Sequence, residues 1–135
     1  MSQETAYAIV DDSAFPLVII TFTGQQPNEE NFQSYLDQTF HLYDRQQELA
    51  IVFDATHATL PGFTYQKKQA NWLKEHTPLM QQYCRGTAYI IPNPIIGGIL
   101  NGIFALQKQP APFKVFRSLA EGKQWTQGQL SPTSF

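Results

Sequence analysis

Four polar residues follow a short apolar stretch in the middle of the chain: Asp54, Thr56, His57 and Thr59. The stretch before them is predicted to be a central strand, and ligands of open α/β sheets bind beyond the carboxyl ends of such strands. An Asp and a His at that place can act as acid and base. The competing interpretation is that Asp54 caps the loop backbone as an Asx turn and that His57 is an exposed loop residue.

We favour the structural interpretation of Asp54 and His57, and an enzyme centred on them is the least favoured function. The sequence contains no Ser-centred nucleophile elbow, no phosphate-binding P-loop and no His-x-x-x-His pair. Cys84 is the single cysteine, which excludes an internal disulfide and a cysteine-based zinc site, and it is expected to be a buried structural thiol. We predict no catalytic residues, metal or cofactor. The loop residues, together with Thr64, are the candidate ligand or partner loop.

The segment 94–106 is the most unusual part of the sequence, because it contains three glycines and no charged residue. At helical spacing its large apolar side chains cover about half of the circumference, and small residues and an asparagine cover the rest. Each glycine costs about 1 kcal/mol relative to alanine in a helix. Close approach of a neighbouring element, a second copy of the chain or a ligand would offset that cost. We expect self-association, with an interface at Gly98, Asn101, Gly102 and Ala105.

The overall composition indicates one globular domain spanning residues 1–135, with a flexible tail at 128–135. Of the 135 residues, 42% are hydrophobic and 15% are charged, and the net charge is -2. That balance argues against a nucleic-acid partner, because phosphate binding requires clustered Lys and Arg. No apolar run approaches the ~18 residues of a membrane span. The first residues are polar and lack a signal-peptide profile, so a cytoplasmic location is expected.

Strand and helix patterns alternate along the chain and predict an α/β fold with a mixed five-stranded sheet. The predicted order is β-β-α-β-α-β-α-β-α, with an antiparallel hairpin first. Thr64 is expected to cap the second helix, and Pro78 is expected to kink that helix or to begin a new turn. Ser118 and Glu121 form the pattern of a capping box, and Trp125 is expected to anchor the last helix. Strands are predicted at 7–11, 17–23, 49–53, 87–91 and 113–116. Two helices are predicted to begin at 27 or 28 and at 65, and two more are predicted to span 93–107 and 119–126.

Two short motifs resemble the SpoIIAA-like fold shared by STAS domains and anti-sigma-factor antagonists. The first is Ile51-Val52-Phe53-Asp54, and the second is Val115-Phe116-Arg117-Ser118 followed by Ala120 and Trp125. The chain looks most like the small bacterial SpoIIAA-like proteins of unassigned function, over nearly its whole length. The antagonists of that group carry a phosphorylated Ser or Thr in an Asp-Ser-Ser/Thr-Gly-Leu motif. Here the matching stretch runs from Thr59 to Thr64 without that motif, and a phosphorylation switch is not expected.

The resemblance implies a non-enzymatic regulatory or protein-interaction module, and the uncharged helix favours a homodimer. The alternative is a small-molecule or lipid-binding domain with an apolar pocket beside the second predicted helix and the helix at 93–107. Related folds are known in that role. A protein partner is compatible with both functions.

Overall fold

Five strands form one mixed sheet, and they lie side by side in the order in which they occur along the chain. The computed structural model describes residues 6–59 and 61–130. The first two strands form an antiparallel hairpin, and each later strand is parallel to the one before it. This confirms the predicted α/β class and the mixed five-stranded sheet. The strands are β1 (Ala8–Asp11), β2 (Leu17–Phe22), β3 (Leu49–Asp54), β4 (Cys84–Ile90) and β5 (Phe113–Phe116).

The helices follow the predicted order, and of the two outcomes predicted at Pro78 the structure has the second, since a separate helix begins there between β3 and β4. This helix has Pro78 in its first turn, where a missing backbone donor has no cost. None of the helices in the described part of the chain is long and apolar enough to span a membrane. The helices are α1 (Glu29–His41), α2 (Phe63–Glu75), α3 (Thr77–Tyr83), α4 (Pro94–Leu106) and α5 (Leu119–Gln129), and a 3-10 turn (Leu42–Arg45) follows α1.

The two faces of the sheet are covered unequally, because alternate strand residues point to opposite sides. On β2, Val18 and Ile20 belong to the large core formed with α1 and α2, whereas Leu17 belongs to a smaller core that includes Trp125 of α5. The strand β3 lies between these cores, and its first four residues are buried, as its apolar run predicts. One face therefore carries α1, α2 and α4, and the other is covered by α5.

The last helix differs from its prediction in three respects. It extends through Gln129, beyond the predicted end at 126, and Leu130 is buried; residues 131–135, most of the tail predicted to be flexible, lie outside the described part of the chain. Trp125 packs on Phe116 with ring centroids 5.9 Å apart, but it is only partly buried. The Ser118 hydroxyl accepts from the Glu121 amide at 3.3 Å and donates to its carboxylate at 3.1 Å. The Glu121 side chain thus binds the hydroxyl and does not complete the predicted capping box.

Candidate functional site

The candidate loop after β3 is held by an Asx-type turn. One carboxylate oxygen of Asp54 accepts hydrogen bonds from the Thr56 amide at 3.1 Å and from the Thr56 hydroxyl at 2.6 Å. His57 is exposed one residue further on. The Asp54 carboxylate therefore orders the backbone at the start of the loop, which agrees with the structural interpretation of this residue.

The rest of this loop is attached to the neighbouring loop after β2. The Thr59 hydroxyl donates to the Gln25 carbonyl at 3.2 Å. Gly24 has a φ of +93°, and a side chain there would lie 3.2 Å from the His57 carbonyl oxygen. The loops after β2 and β3 both follow the carboxyl ends of parallel strands. They therefore contact each other at the edge of the sheet where α/β proteins bind ligands.

Thr64 was predicted to belong to this loop and to cap the following helix. It does neither. The helix α2 begins earlier, at Phe63, and its N-cap is Gly62, which offers no side-chain hydrogen bond. Thr64 lies exposed within the first helical turn. The prediction was wrong because the extended backbone at Gly62, with φ -67° and ψ 168°, already permits the turn into the helix.

The helix α4 presents an uncharged face to solvent. Gly98, Asn101 and Ala105 are exposed, and a side chain at Gly98 would meet no atom within 4 Å. Gly102 instead faces α2, because a side chain there would lie 3.3 Å from the Gln66 amide oxygen. Of the four predicted interface residues, three thus share an outer face and one is packed within the chain.

The apolar side of α4 is narrower than the sequence suggested. Ile96 and Ile103 are buried, but Ile95 is 62% exposed and Leu106 is 47% exposed. These two residues lie at the border of the helix face that meets the sheet. The helix therefore leaves apolar surface uncovered along one edge of its small residues, near its two ends.

A cavity lies between the sheet and the helices α1, α2 and α4. The space open to the centres of water-sized molecules is about 100 Å³. Its wall is mostly aromatic and aliphatic, and no charged side chain of the described part of the chain belongs to it. Thr59 of the candidate loop is part of the wall, so the cavity reaches the carboxyl edge of the sheet. At the other end it reaches Tyr43, Met80 and Thr87.

Aromatic rings in contact with one another build much of this wall. Phe53 of β3 stacks on Tyr89 of β4 at a centroid distance of 5.3 Å and an interplanar angle of 9°. Phe32 of α1 contacts Tyr65 of α2 at 5.1 Å. Ring pairs at such distances attract each other beyond the effect of their buried area, and they favour a stiff wall. The cavity is thus bounded by packed rings from four different elements.

Most polar groups along the wall already have partners within the chain. The Tyr35 hydroxyl donates to the Gln69 amide oxygen at 2.7 Å, and the Gln109 amide donates to the Tyr89 hydroxyl at 2.6 Å. The Gln66 amide donates to the Pro61 carbonyl at 3.0 Å. These bonds tie the two glutamines of α2 to α1 and to the loop before α2. They also leave the interior with little capacity to bind water.

Burial keeps the tyrosines of the wall protonated. Desolvation raises the pKa of Tyr7 to about 12 and also raises the pKa values of Tyr35, Tyr43 and Tyr89. Burial also raises the pKa of the Cys84 thiol, which lies beside Tyr43. At neutral pH these groups are hydrogen-bond donors without charge, and Cys84 is the inert buried thiol that the sequence predicts.

The sequence predicts an apolar pocket beside these helices as one of two functions but does not identify the residues that line it. Two features of the sequence point to them. Aromatic residues make up 13% of the chain. Gln66 and Gln69 also lie three residues apart on α2, the spacing of one helix face, and both line the cavity.

Neither metal chemistry nor a known family defines this site. Within residues 6–59 and 61–130, no three His, Cys, Asp or Glu side chains come together as metal ligands would. Comparison with protein-family models and with curated proteins gave no match for this chain.

Proposed function

We propose that the chain is a non-enzymatic binding module that holds an apolar small molecule or acyl chain between the sheet and the helices α1, α2 and α4. Of the two functions expected from the sequence, this one is favoured by a specific observation, which is the uncharged aromatic cavity. An engineered cavity of about 150 Å³ with apolar walls stays dry and binds benzene. A void of about 100 Å³ is of the same order.

The energetics of the void support the same function. Cavity volume in a protein core costs about 24 cal/mol per Å³, so an empty space of 100 Å³ lowers stability by about 2 kcal/mol. Water does not offset this cost well, because it needs two to four polar partners and the wall offers few free ones. An apolar ligand would restore the missing contacts and stabilise the folded chain.

Binding is tested by titrating the labelled protein with toluene and following amide chemical shifts by NMR. We expect saturable shifts at residues of the wall. The matched variants are Ile99→Trp and Ile95→Trp: both residues lie on α4, but Ile99 lines the cavity and Ile95 is 62% exposed. The first variant should lose binding and the second should keep it. If both variants bind as the wild type does, toluene is not in this cavity and the proposed site is wrong.

Native mass spectrometry adds a second readout that needs no chosen probe. Protein purified without organic solvent should carry extra mass that disappears on organic extraction. The Ile99→Trp protein should carry less of it than the Ile95→Trp protein. Equal retention in both would contradict the proposed site.

The second candidate function is a regulatory or protein-interaction module that associates with a second copy of itself. The observation that favours it is the uncharged outer face of α4, where Gly98, Asn101 and Ala105 are exposed and the exposed Ile95 and Leu106 lie along one edge. A helix face without charged side chains is suited to contact with another protein surface. A second copy of the chain is the proposed occupant, and sedimentation tests it.

A further inference from the structure

The buried hydroxyl of Tyr43 lies at the end of the cavity away from the loop after β3. Tyr43 is only 3% exposed and lines the cavity. Among the residues that the structure describes, its hydroxyl is the one fully buried side-chain oxygen or nitrogen that has no hydrogen-bond partner. Buried polar groups are nearly always paired, so an orphan of this kind needs a physical reason.

The neighbouring Cys84 thiol interacts with this hydroxyl, but a thiol is a weak hydrogen-bond acceptor. The thiol sulfur also lies 3.7 Å from the Gly86 carbonyl oxygen and 3.6 Å from the Thr87 hydroxyl. Elsewhere on the wall, the Tyr35 hydroxyl donates to Gln69 and the Tyr89 hydroxyl accepts from Gln109. The Tyr43 hydroxyl is therefore a buried donor with no oxygen or nitrogen partner among the described residues, on a side chain that lines an apolar cavity.

We infer that the ligand is a neutral molecule with a carbonyl oxygen, and that this oxygen accepts a hydrogen bond from the hydroxyl of Tyr43. The inference rests on the proposed binding function and adds the chemical class of the ligand. The apolar remainder of the molecule would lie along the aromatic wall toward Thr59. The carbonyl would give a partner to the one fully buried side-chain oxygen or nitrogen that has none among the described residues.

An anionic ligand group fits this end of the cavity poorly. Among the residues that the structure describes, no Lys, Arg or His lines the wall. Moving a carboxylate into such surroundings without a cation is strongly unfavourable. A neutral carbonyl needs only a single donor, and burial keeps the Tyr43 hydroxyl protonated.

Three probes of nearly the same shape separate these possibilities: acetophenone, α-methylstyrene and benzoate. The first has a neutral carbonyl, the second replaces its oxygen by a methylene group, and the third is an anion. Their dissociation constants are measured by NMR titration at pH 7.5 on the wild type and on Tyr43→Phe. A net hydrogen bond corresponds to about a three- to tenfold change in affinity, and we expect that loss for acetophenone in the variant. α-Methylstyrene should bind the variant at least as tightly as the wild type, and benzoate should bind neither.

The control is Tyr83→Phe, which removes a hydroxyl from a tyrosine that does not line this cavity. It should leave the affinities of all three probes unchanged. If acetophenone and α-methylstyrene bind the wild type and Tyr43→Phe with the same ratio of affinities, the carbonyl assignment is wrong while the binding function stands. Tight binding of benzoate would also overturn it. If none of the three probes binds, and toluene fails as well, the proposed function falls together with this inference.

Discussion

Two glycines of α5 should respond in opposite ways to the same substitution. A side chain at Gly122 would place its Cβ 2.3 Å from the δ-methyl carbon of Ile90, whereas one at Gly128 would meet no atom within 4 Å. Ile90 is 1% exposed, so its methyl group cannot turn into solvent. Replacing a helical glycine by alanine gains up to about 1 kcal/mol, but overpacking a core costs about 1–3 kcal/mol.

We therefore expect Gly122→Ala to lose about 1–2 kcal/mol of unfolding free energy and Gly128→Ala to gain about 0.5 kcal/mol, since it lies near the helix end. Urea unfolding followed by circular dichroism measures both. The contact itself is tested by adding Ile90→Val, which removes the δ-methyl and alone costs about 0.5–1.5 kcal/mol. The double variant should be more stable than the sum of the single effects predicts, by about 1 kcal/mol. Additive effects would show that Gly122 is not pressed against Ile90, and the placement of α5 on the sheet would then be wrong.

Three further results are expected. Ser118→Ala should lose about 1 kcal/mol of unfolding free energy, because the Glu121 amide loses its acceptor; an unchanged urea midpoint would contradict this cap. The free energy of unfolding should fall between about pH 10 and 12, by up to about 1.4 kcal/mol per pH unit for each of four buried tyrosines. These tyrosines keep their protons in the folded chain and release them in the unfolded chain; they are Tyr7, Tyr35, Tyr43 and Tyr89. Phenolate absorbance that appears before unfolding would argue against their burial. Gly98→Glu should shift a dimer toward monomer in sedimentation without loss of helical signal, while Gly128→Glu should not; a wild type that is monomeric at tens of micromolar would rule out the interface.

The strands and their succession along the chain could be predicted where an apolar run is bounded by turn residues, whereas the start of β4 at Cys84 was missed because Arg85 and Gly86 interrupt its apolar pattern. The run in β3 shows this well, since burial on both faces requires apolar residues at successive positions. Such patterns are local in the sequence. The SpoIIAA-like assignment stays a prediction, because it depends on details of packing that motifs as short as Ile51-Val52-Phe53-Asp54 do not determine.

The candidate site was predicted less completely than the fold. The cavity exists where packed side chains leave a gap, and a sequence does not show where such gaps lie. From the sequence, Asp54 could be either a catalytic acid or base or a residue that caps the loop backbone. The structure shows that its carboxylate accepts hydrogen bonds from the amide and the hydroxyl of Thr56. Aromatic residues were expected in the core, but the gap between their rings follows from angles between helices that a single sequence does not specify. The unpartnered hydroxyl of Tyr43 depends on distances of a few tenths of an ångström.

The helix α5 makes one side of the sheet depend on a single element. Among the described residues it is the helix that packs on the smaller core, which contains Val52, Ala88 and Ile90. Undocking of α5 alone would expose these residues, while the larger core on the opposite side, formed with α1 and α2, would stay packed. A chain cut before Leu119 would therefore display an apolar strip of sheet, which is a surface that favours aggregation.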